Sequence, residues 1–167
     1  VQVVSGEKDG KPEFTTFLVE NDTPGFTQEP MNRKMMWRAS NTGRLTFEKV
    51  ELPKENMLGV QGQGSHIMLA TLDGGRLSIA AMALGCAQGA YEMALAYSKE
   101  REQFGKQICK FQAVSFKLAD MAMKIEAARC LLYKACRIKD AGMPFGKEAA
   151  MAKLYCSEVA AEVCDNA

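Results

Sequence analysis

The sequence predicts a mainly α protein with an N-terminal β segment, in which three long helices run up and down as part of a bundle. Three observations carry this. Up to residue 52, short runs of β-forming residues alternate with Gly, Pro, Asn and Asp. After Pro53 the apolar residues fall into stripes three and four apart, the spacing of one helix face. The breaks between the stripes, Phe104-Gly105-Lys106 and Gly142-Met143-Pro144, are short, so successive helices must run antiparallel.

Within the β segment, residues 1–4 form a short β-rich run and residues 6–12 read as a polar loop punctuated by Gly and Pro. Residues 13–19 return as a strand, and Asn21-Asp22-Thr23-Pro24-Gly25 is a turn. Residues 26–29 and 44–51 are further strands; in the second, Leu45, Phe47 and Val50 supply apolar positions among polar ones. The segment is too short for a closed barrel, and its first strand begins at the first residue. The expectation is a piece of a longer polypeptide. Met31, Met35 and Met36, next to Trp37, read as core filler.

Gly59-x-x-Gly62-x-Gly64 lacks the Walker lysine and the dinucleotide spacing, so these glycines read as conformational hinges. A short helix is predicted over 65–72, capped by Ser65. A second, over 75–101, is rich in Ala and Gly, which lets a neighbouring helix approach closely. Its inner face is Leu77, Ala80, Leu84, Ala87, Tyr91, Ala94 and Ser98. The helix predicted over 111–141 carries Val114, Leu118, Met121, Ile125, Ala128, Leu132 and Ala135 in alternating steps of four and three. That is a heptad seam on a helix roughly 45 Å long. The last helix, from 145 onward, shows Ala149, Ala152, Cys156, Val159 and Val163 on one face. Three helices leave one side of a bundle open, and an exposed apolar strip is expected along Leu84, Tyr91, Val114, Met121 and Ile125.

Composition narrows the function classes. With 21 basic and 20 acidic side chains and no basic run, nucleic acid is a poor partner. No uninterrupted apolar stretch reaches bilayer length, so no transmembrane segment is expected. The six cysteines form no C-x-x-C pair and are expected as buried free thiols of a reducing compartment. His66 is the only histidine, which excludes a multi-histidine metal site within these residues; it reads as structural.

One stretch has chemistry in it. Arg101 stands at a helix terminus beside the Gly105 bend, followed within a dozen residues by the amide of Gln112. A guanidinium there offers rigidly placed donors suited to phosphate oxygens. The plain alternative is a solvated helix end. The wider pattern is Arg101-x-x-Phe104-Gly105-Lys106, then Phe111-Gln112, then Leu118-Ala119-Asp120-Met121. Upstream lie Leu72-Asp73-Gly74-Gly75-Arg76 and Leu52-Pro53-Lys54-Glu55-Asn56-Met57-Leu58-Gly59. These blocks, in this order and spacing, resemble the signature of the acyl-CoA dehydrogenase family. The Leu-Asp-Gly-Gly-Arg version is most similar to short-chain, butyryl-CoA-type members. One departure is Met36, where the family usually has a glycine ahead of the Ser40 and Thr42 pattern.

The resemblance implies an architecture of N-terminal helical domain, middle β-barrel domain and C-terminal four-helix bundle, assembled as a homotetramer. On that pattern residues 1–53 are the C-terminal half of the middle β domain, a partial β-barrel. Residues 54–167 are an incomplete helical-bundle domain that contributes three of its four helices. It implies FAD as cofactor, with Arg101 on the pyrophosphate of a neighbouring subunit's FAD and Gln103, Phe104 and Gln112 as further contacts. Asp73 and Arg76 match the pair along the CoA part of the substrate; without the resemblance they read as a local ion pair at a glycine kink. The implied reaction is α,β-dehydrogenation of an acyl-CoA thioester, with electrons passing to an electron-transfer flavoprotein, or a relative run in the reductive direction. The implied compartment is a bacterial cytoplasm or the mitochondrial matrix. No catalytic residue and no metal ligand is assigned here. The family's base is a glutamate expected beyond Ala167, and the position used by a minority of members is Gly75. The alternative reading is a non-catalytic helical module for oligomerisation. A flavin absorption band would discriminate the two.

Overall fold

A turn of two residues is enough to fold the first strand back. β1 (Gln2–Lys8) and β2 (Lys11–Phe17) pair antiparallel through Asp9-Gly10, whose φ values of 53° and 73° match the twist of a tight hairpin. The loop expected over 6–12 is therefore mostly strand. Its polar residues lie on an exposed ribbon, which carries no alternation to read. The computed structural model describes residues 1–167, in two units, Val1–Leu69 and Ala70–Ala167.

In the first unit, β3 (Phe26–Pro30) pairs with β4 (Gly43–Phe47), and Phe26 stacks on Phe47 with ring centroids 4.9 Å apart. β4 stops short of the expected residue 51 because Lys49 takes a positive φ of 51°. β5 (Met57–Leu58) adds to β2, so the strands form two separate small sheets. The buried polar group is Thr15. Its hydroxyl lies 2.6 Å from that of Ser5 and accepts the Gly62 N–H at 3.0 Å. Gly64 is needed for close approach: a Cβ there would stand 2.8 Å from the Phe14 carbonyl oxygen. The glycines at 59–64 thus serve backbone geometry. The expectation that the methionines around residue 35 fill a core is overturned. Met31, Met35, Met36 and Trp37 are all exposed, and Trp37 sits at φ 57°. Their segment is held by polar bonds from the Lys34 ammonium to the Ser40 carbonyl and the Thr42 hydroxyl.

α1 (Gly64–Glu100) is one helix of 37 residues, not the expected two. Each mid-helix glycine costs about 1 kcal/mol relative to Ala, which weakens a helix without ending it. Here the Asp73–Arg76 pair spans Gly74-Gly75, and buried Leu77 anchors the next turn. A miniature hairpin follows, β6 (Glu102–Gln103) and β7 (Lys106–Gln107), then a 3₁₀ turn at Ile108–Lys110. α2 (Gln112–Asp140) and α3 (Gly146–Asn166) complete the second unit.

Its core is the predicted set of stripes. Leu77, Ala80, Leu84 and Ala87 of α1 meet Met121, Ile125, Ala128, Leu132 and Ala135 of α2 and all five predicted residues of α3. Toward the hairpin Tyr91, Ala94, Val114 and Leu118 are only half-buried. The expected open strip was misplaced in part: Leu84, Met121 and Ile125 lie inside the three-helix core, while Tyr91 and Val114 stay half-buried. Exposed apolar surface falls instead on Met93, Tyr97, Phe116, Met123 and Leu154.

The close helix pair is α2 with α3, where Ala128, Ala135, Ala149 and Ala152 are fully buried and the Cys156 thiol donates to the Ala128 carbonyl at 3.6 Å. The glycines of α1 expected to admit a neighbour, Gly85 and Gly89, face open space. Burial raises the Cys156 thiol above its ordinary pKa. All six cysteines are free, but only Cys156 is buried, while Cys86, Cys130 and Cys164 are exposed. By length and apolarity α1 alone could cross a bilayer, with a window of mean hydropathy 1.4. Its Leu77–Ala87 face packs in the core of the second unit.

Candidate functional site

The residues singled out in the sequence fall toward opposite ends of α1, Asp73 and Arg76 roughly three turns in from its start and Arg101 just past its last residue. Arg76 and Arg101 are separated by 25 positions, which at 1.5 Å per residue is roughly 37 Å along the helix.

At one end Asp73 and Arg76 are in contact, their side chains half-buried at 33% and 38% exposure. The Asp73 carboxylate also lies against the start of α3, where a Cβ on Gly146 would stand 3.0 Å from its Oδ2. A glycine as the first residue of α3 is what lets the carboxylate come that close. The ammonium of Lys139, in the last turn of α2, reaches the same corner. It stands 3.9 Å from where a Cβ on Gly74 would be and 5.7 Å from the ring centroid of Phe145. Three helices thus meet around one carboxylate and two cations. Gly75 is exposed, with open space where its Cβ would be, and no carboxylate occupies that place.

At the other end the chain leaves α1 at Arg101. The Arg101 carbonyl accepts the Ile108 N–H at 2.9 Å, which closes the hairpin of β6 and β7. Its turn is Phe104-Gly105, with φ 52° and 78°. Positive φ is ordinary for Gly but strained for a bulky residue such as Phe, at an order of 1–3 kcal/mol. Phe104 is nonetheless 92% exposed. What fixes it is Phe111, the residue before α2. The two rings meet edge to face at 6.2 Å, and the Lys106 ammonium lies 4.4 Å from the Phe111 centroid. Arg101 and Gln103 are exposed, as is Gln112, the first residue of α2. The ion pairs of the chain are Asp73–Arg76, Lys124–Glu162 and Glu126–Arg129, and Arg101 is in none of them. An open groove of about 690 Å³ lies beside this end between α1 and α2, walled by Tyr97, Val114 and Leu118 and by the end of α3 at Asn166.

The fold therefore groups Arg101, Gln103, Phe104 and Gln112 within one connection, groups Asp73 with Arg76, and keeps the two groups apart. Sequence reasoning missed Lys139, Phe111 and Gly146. Lys139 carries no motif, since a lysine in a last turn is the ordinary partner of a helix dipole. Gly146, just after Pro144, was a readable sign of a close approach.

Residues 62–167 match the family model described as acyl-CoA dehydrogenase, C-terminal domain. Over 168 aligned residues the chain is 50% identical to a probable acyl-CoA dehydrogenase, YngJ, of Bacillus subtilis; the alignment covers 100% of the chain and 44% of that relative. The solved structure of butyryl-CoA dehydrogenase from Megasphaera elsdenii superposes with a TM-score of 0.92 at 49% identity, covering 97% of this chain and 42% of that one. A structure described as electron transferring flavoprotein of Acidaminococcus fermentans matches with a TM-score of 0.87 at 52% identity, covering 90% and 40%. The matched relatives include bacterial and mitochondrial proteins. The chain spans less than half the length of these relatives. Its three helices and small sheets match the helical C-terminal part of that fold, and the chain belongs to the acyl-CoA dehydrogenase family.

Proposed function

We propose that the full-length protein is an FAD-dependent dehydrogenase that oxidises the α,β bond of a short-chain acyl-CoA thioester and passes the electrons to an electron-transfer flavoprotein. The observation that carries this is the pair of ends of α1. An arginine fork free of carboxylates stands on a strained hairpin at one, and a prearranged Asp–Arg pair stands at the other.

The donor set suits the cofactor. Arg101 can bind a diphosphate through two parallel hydrogen bonds, Gln103 and Gln112 offer amides, and Phe104 offers an exposed ring beside them. When bound, FAD supplies a two-electron acceptor for the hydride leaving the β carbon. At the other end Arg76, steadied by Asp73, would hold the CoA portion of the substrate and so orient the thioester. Removal of the α proton needs a carboxylate whose pKa is raised toward neutrality. The family resemblance implies a glutamate beyond Ala167 as that base, and Glu92, Glu100 and Glu102 lie on the wrong segments for it.

The roughly 37 Å between Arg76 and Arg101 supports an oligomeric site, in which Arg101 serves the cofactor of a neighbouring subunit. The exposed Met93, Tyr97, Phe116 and Met123 supply apolar surface for a homotetramer. A fourth helix of the bundle would cover the groove at Tyr97 and Leu118, and residues 1–53 would complete a middle β-barrel with further strands. The compartment would be a bacterial cytoplasm or mitochondrial matrix.

The test is anaerobic titration of the purified full-length protein with butyryl-CoA. Bleaching of a flavin absorption band, followed by its return on addition of electron-transfer flavoprotein, is the expected result. A colourless protein that does not take up FAD would overturn the reading in favour of a non-catalytic module.

A further inference from the structure

We infer that Lys139 is a third binding residue for the phosphate-bearing portion of the CoA thioester, acting with Arg76. The inference rests on the reading that Asp73 and Arg76 face the CoA part of the substrate, and it adds a residue from a different helix.

Lys139 reaches the corner from the last turn of α2, and its ammonium lies over the backbone of α1 at Gly74, next to the Asp73–Arg76 pair. The carboxylate there is already engaged, because Asp73 binds Arg76 and rests against Gly146. Lys139 takes part in no ion pair. What steadies it is the Phe145 ring, 5.7 Å from ammonium to centroid, inside the range of a cation–π contact. Ring contact directs the lysine stem without neutralising the charge.

The local result is two cations beside one carboxylate that Arg76 alone engages. A phosphate fits this arrangement better than a carboxylate-bearing ligand would. The arginine offers a planar fork and the lysine a compact point charge that follows a tetrahedral group from another side. A CoA thioester carries phosphates at one end only, so this corner would take that end and leave the thioester free to extend away.

The experiment compares two thioesters on the full-length protein: butyryl-CoA, and butyryl-pantetheine, which lacks the phosphates. Lys139→Gln is expected to raise KM for butyryl-CoA about tenfold more than KM for butyryl-pantetheine, and Lys139→Arg is expected to restore most of the difference. The variant's KM for butyryl-CoA should also depend less steeply on salt. Melting temperatures of both variants check that the fold is kept. If Arg76→Gln shifts the ratio of the two KM values and Lys139→Gln does not, the assignment of Lys139 is overturned and the substrate reading stands. If neither variant shifts the ratio, the placement of CoA at this corner falls with it.

Discussion

The two ends of α1 are built on opposite plans. At the Asp73–Arg76 end, three helices of the same chain converge, the charges are paired and half-buried, and Gly146 is trimmed to admit the carboxylate. At the Arg101 end, the guanidinium is outside every ion pair, Phe104 is held at positive φ in full exposure, and the bordering core residues are only half-buried. One end is organised by contacts within the chain. The other displays Arg101, Gln103 and Gln112 to solvent. Changes at the first end should therefore disturb fold and binding together, and changes at the second should disturb binding alone.

The sharpest way to break that contrast is Arg101→Lys in the full-length protein. Lysine keeps the charge but loses the fork. A hydrogen bond to a charged group is worth about 1.5–3 kcal/mol, so FAD affinity should fall roughly ten- to a hundredfold. The apoprotein's unfolding midpoint should stay where it is. Equal FAD affinity, read by flavin fluorescence titration, would remove Arg101 from the cofactor site.

Gly146→Ala is the matching probe at the other end. Its Cβ would lie 3.0 Å from Asp73 Oδ2, so the carboxylate must give by a few tenths of an ångström at the start of α3. Overpacking of this kind costs about 1 kcal/mol or more. Thermal unfolding should drop, and KM for the acyl-CoA should rise with it. A rise in KM with unchanged stability would mean that the two ends do not differ in the way described.

Phe104→Asn should separate stability from binding at the hairpin. Asn tolerates positive φ better than Phe, so the chain should gain about 1 kcal/mol while FAD binding weakens. Chemical denaturation of the apoprotein alongside cofactor titration reads both. If both quantities fall, the strain at Phe104 is not real.

The smallest effect lies away from both ends. Lys124 of α2 is hydrogen-bonded to Glu162 of α3, which raises its pKa above the ordinary 10.5. A raised folded-state value means that the contribution is complete below 10.5 and is lost as pH climbs through the folded value. The stability difference between wild type and Lys124→Met should therefore be constant near neutrality and shrink above pH 10.5. A difference that grows with alkaline pH would reverse the sign and reject the pair.

The helices were legible because each buries one face. The steps of three and four through Met121, Ile125, Ala128 and Leu132 on α2, and Ala149 to Val163 on α3, became the core without change. What misled was local grammar read without its tertiary setting. Gly74-Gly75 looked like a stop, yet a helix with a salt bridge across the glycines and a buried leucine after them carries on. The polar stretch 6–12 looked like loop because a ribbon exposed on both faces has no alternation to show. The site was half legible. Arg101, Gln103, Phe104 and Gln112 are near in sequence and lie on or beside the one short connection between α1 and α2. Lys139 and Gly146 meet Asp73 and Gly74 only because α2 and α3 return to the start of α1, and no one-dimensional spacing records that meeting.

Trp37, exposed and held at positive φ, is the single tryptophan of the sequence and belongs to the first unit, while all four tyrosines, Tyr91, Tyr97, Tyr133 and Tyr155, belong to the second. The chromophores are thus sorted by unit. Tryptophan emission excited selectively reports the β region alone, near-ultraviolet tyrosine signals report the helices alone, and melting curves recorded on the two channels of one sample measure whether the units unfold as one cooperative body or in sequence.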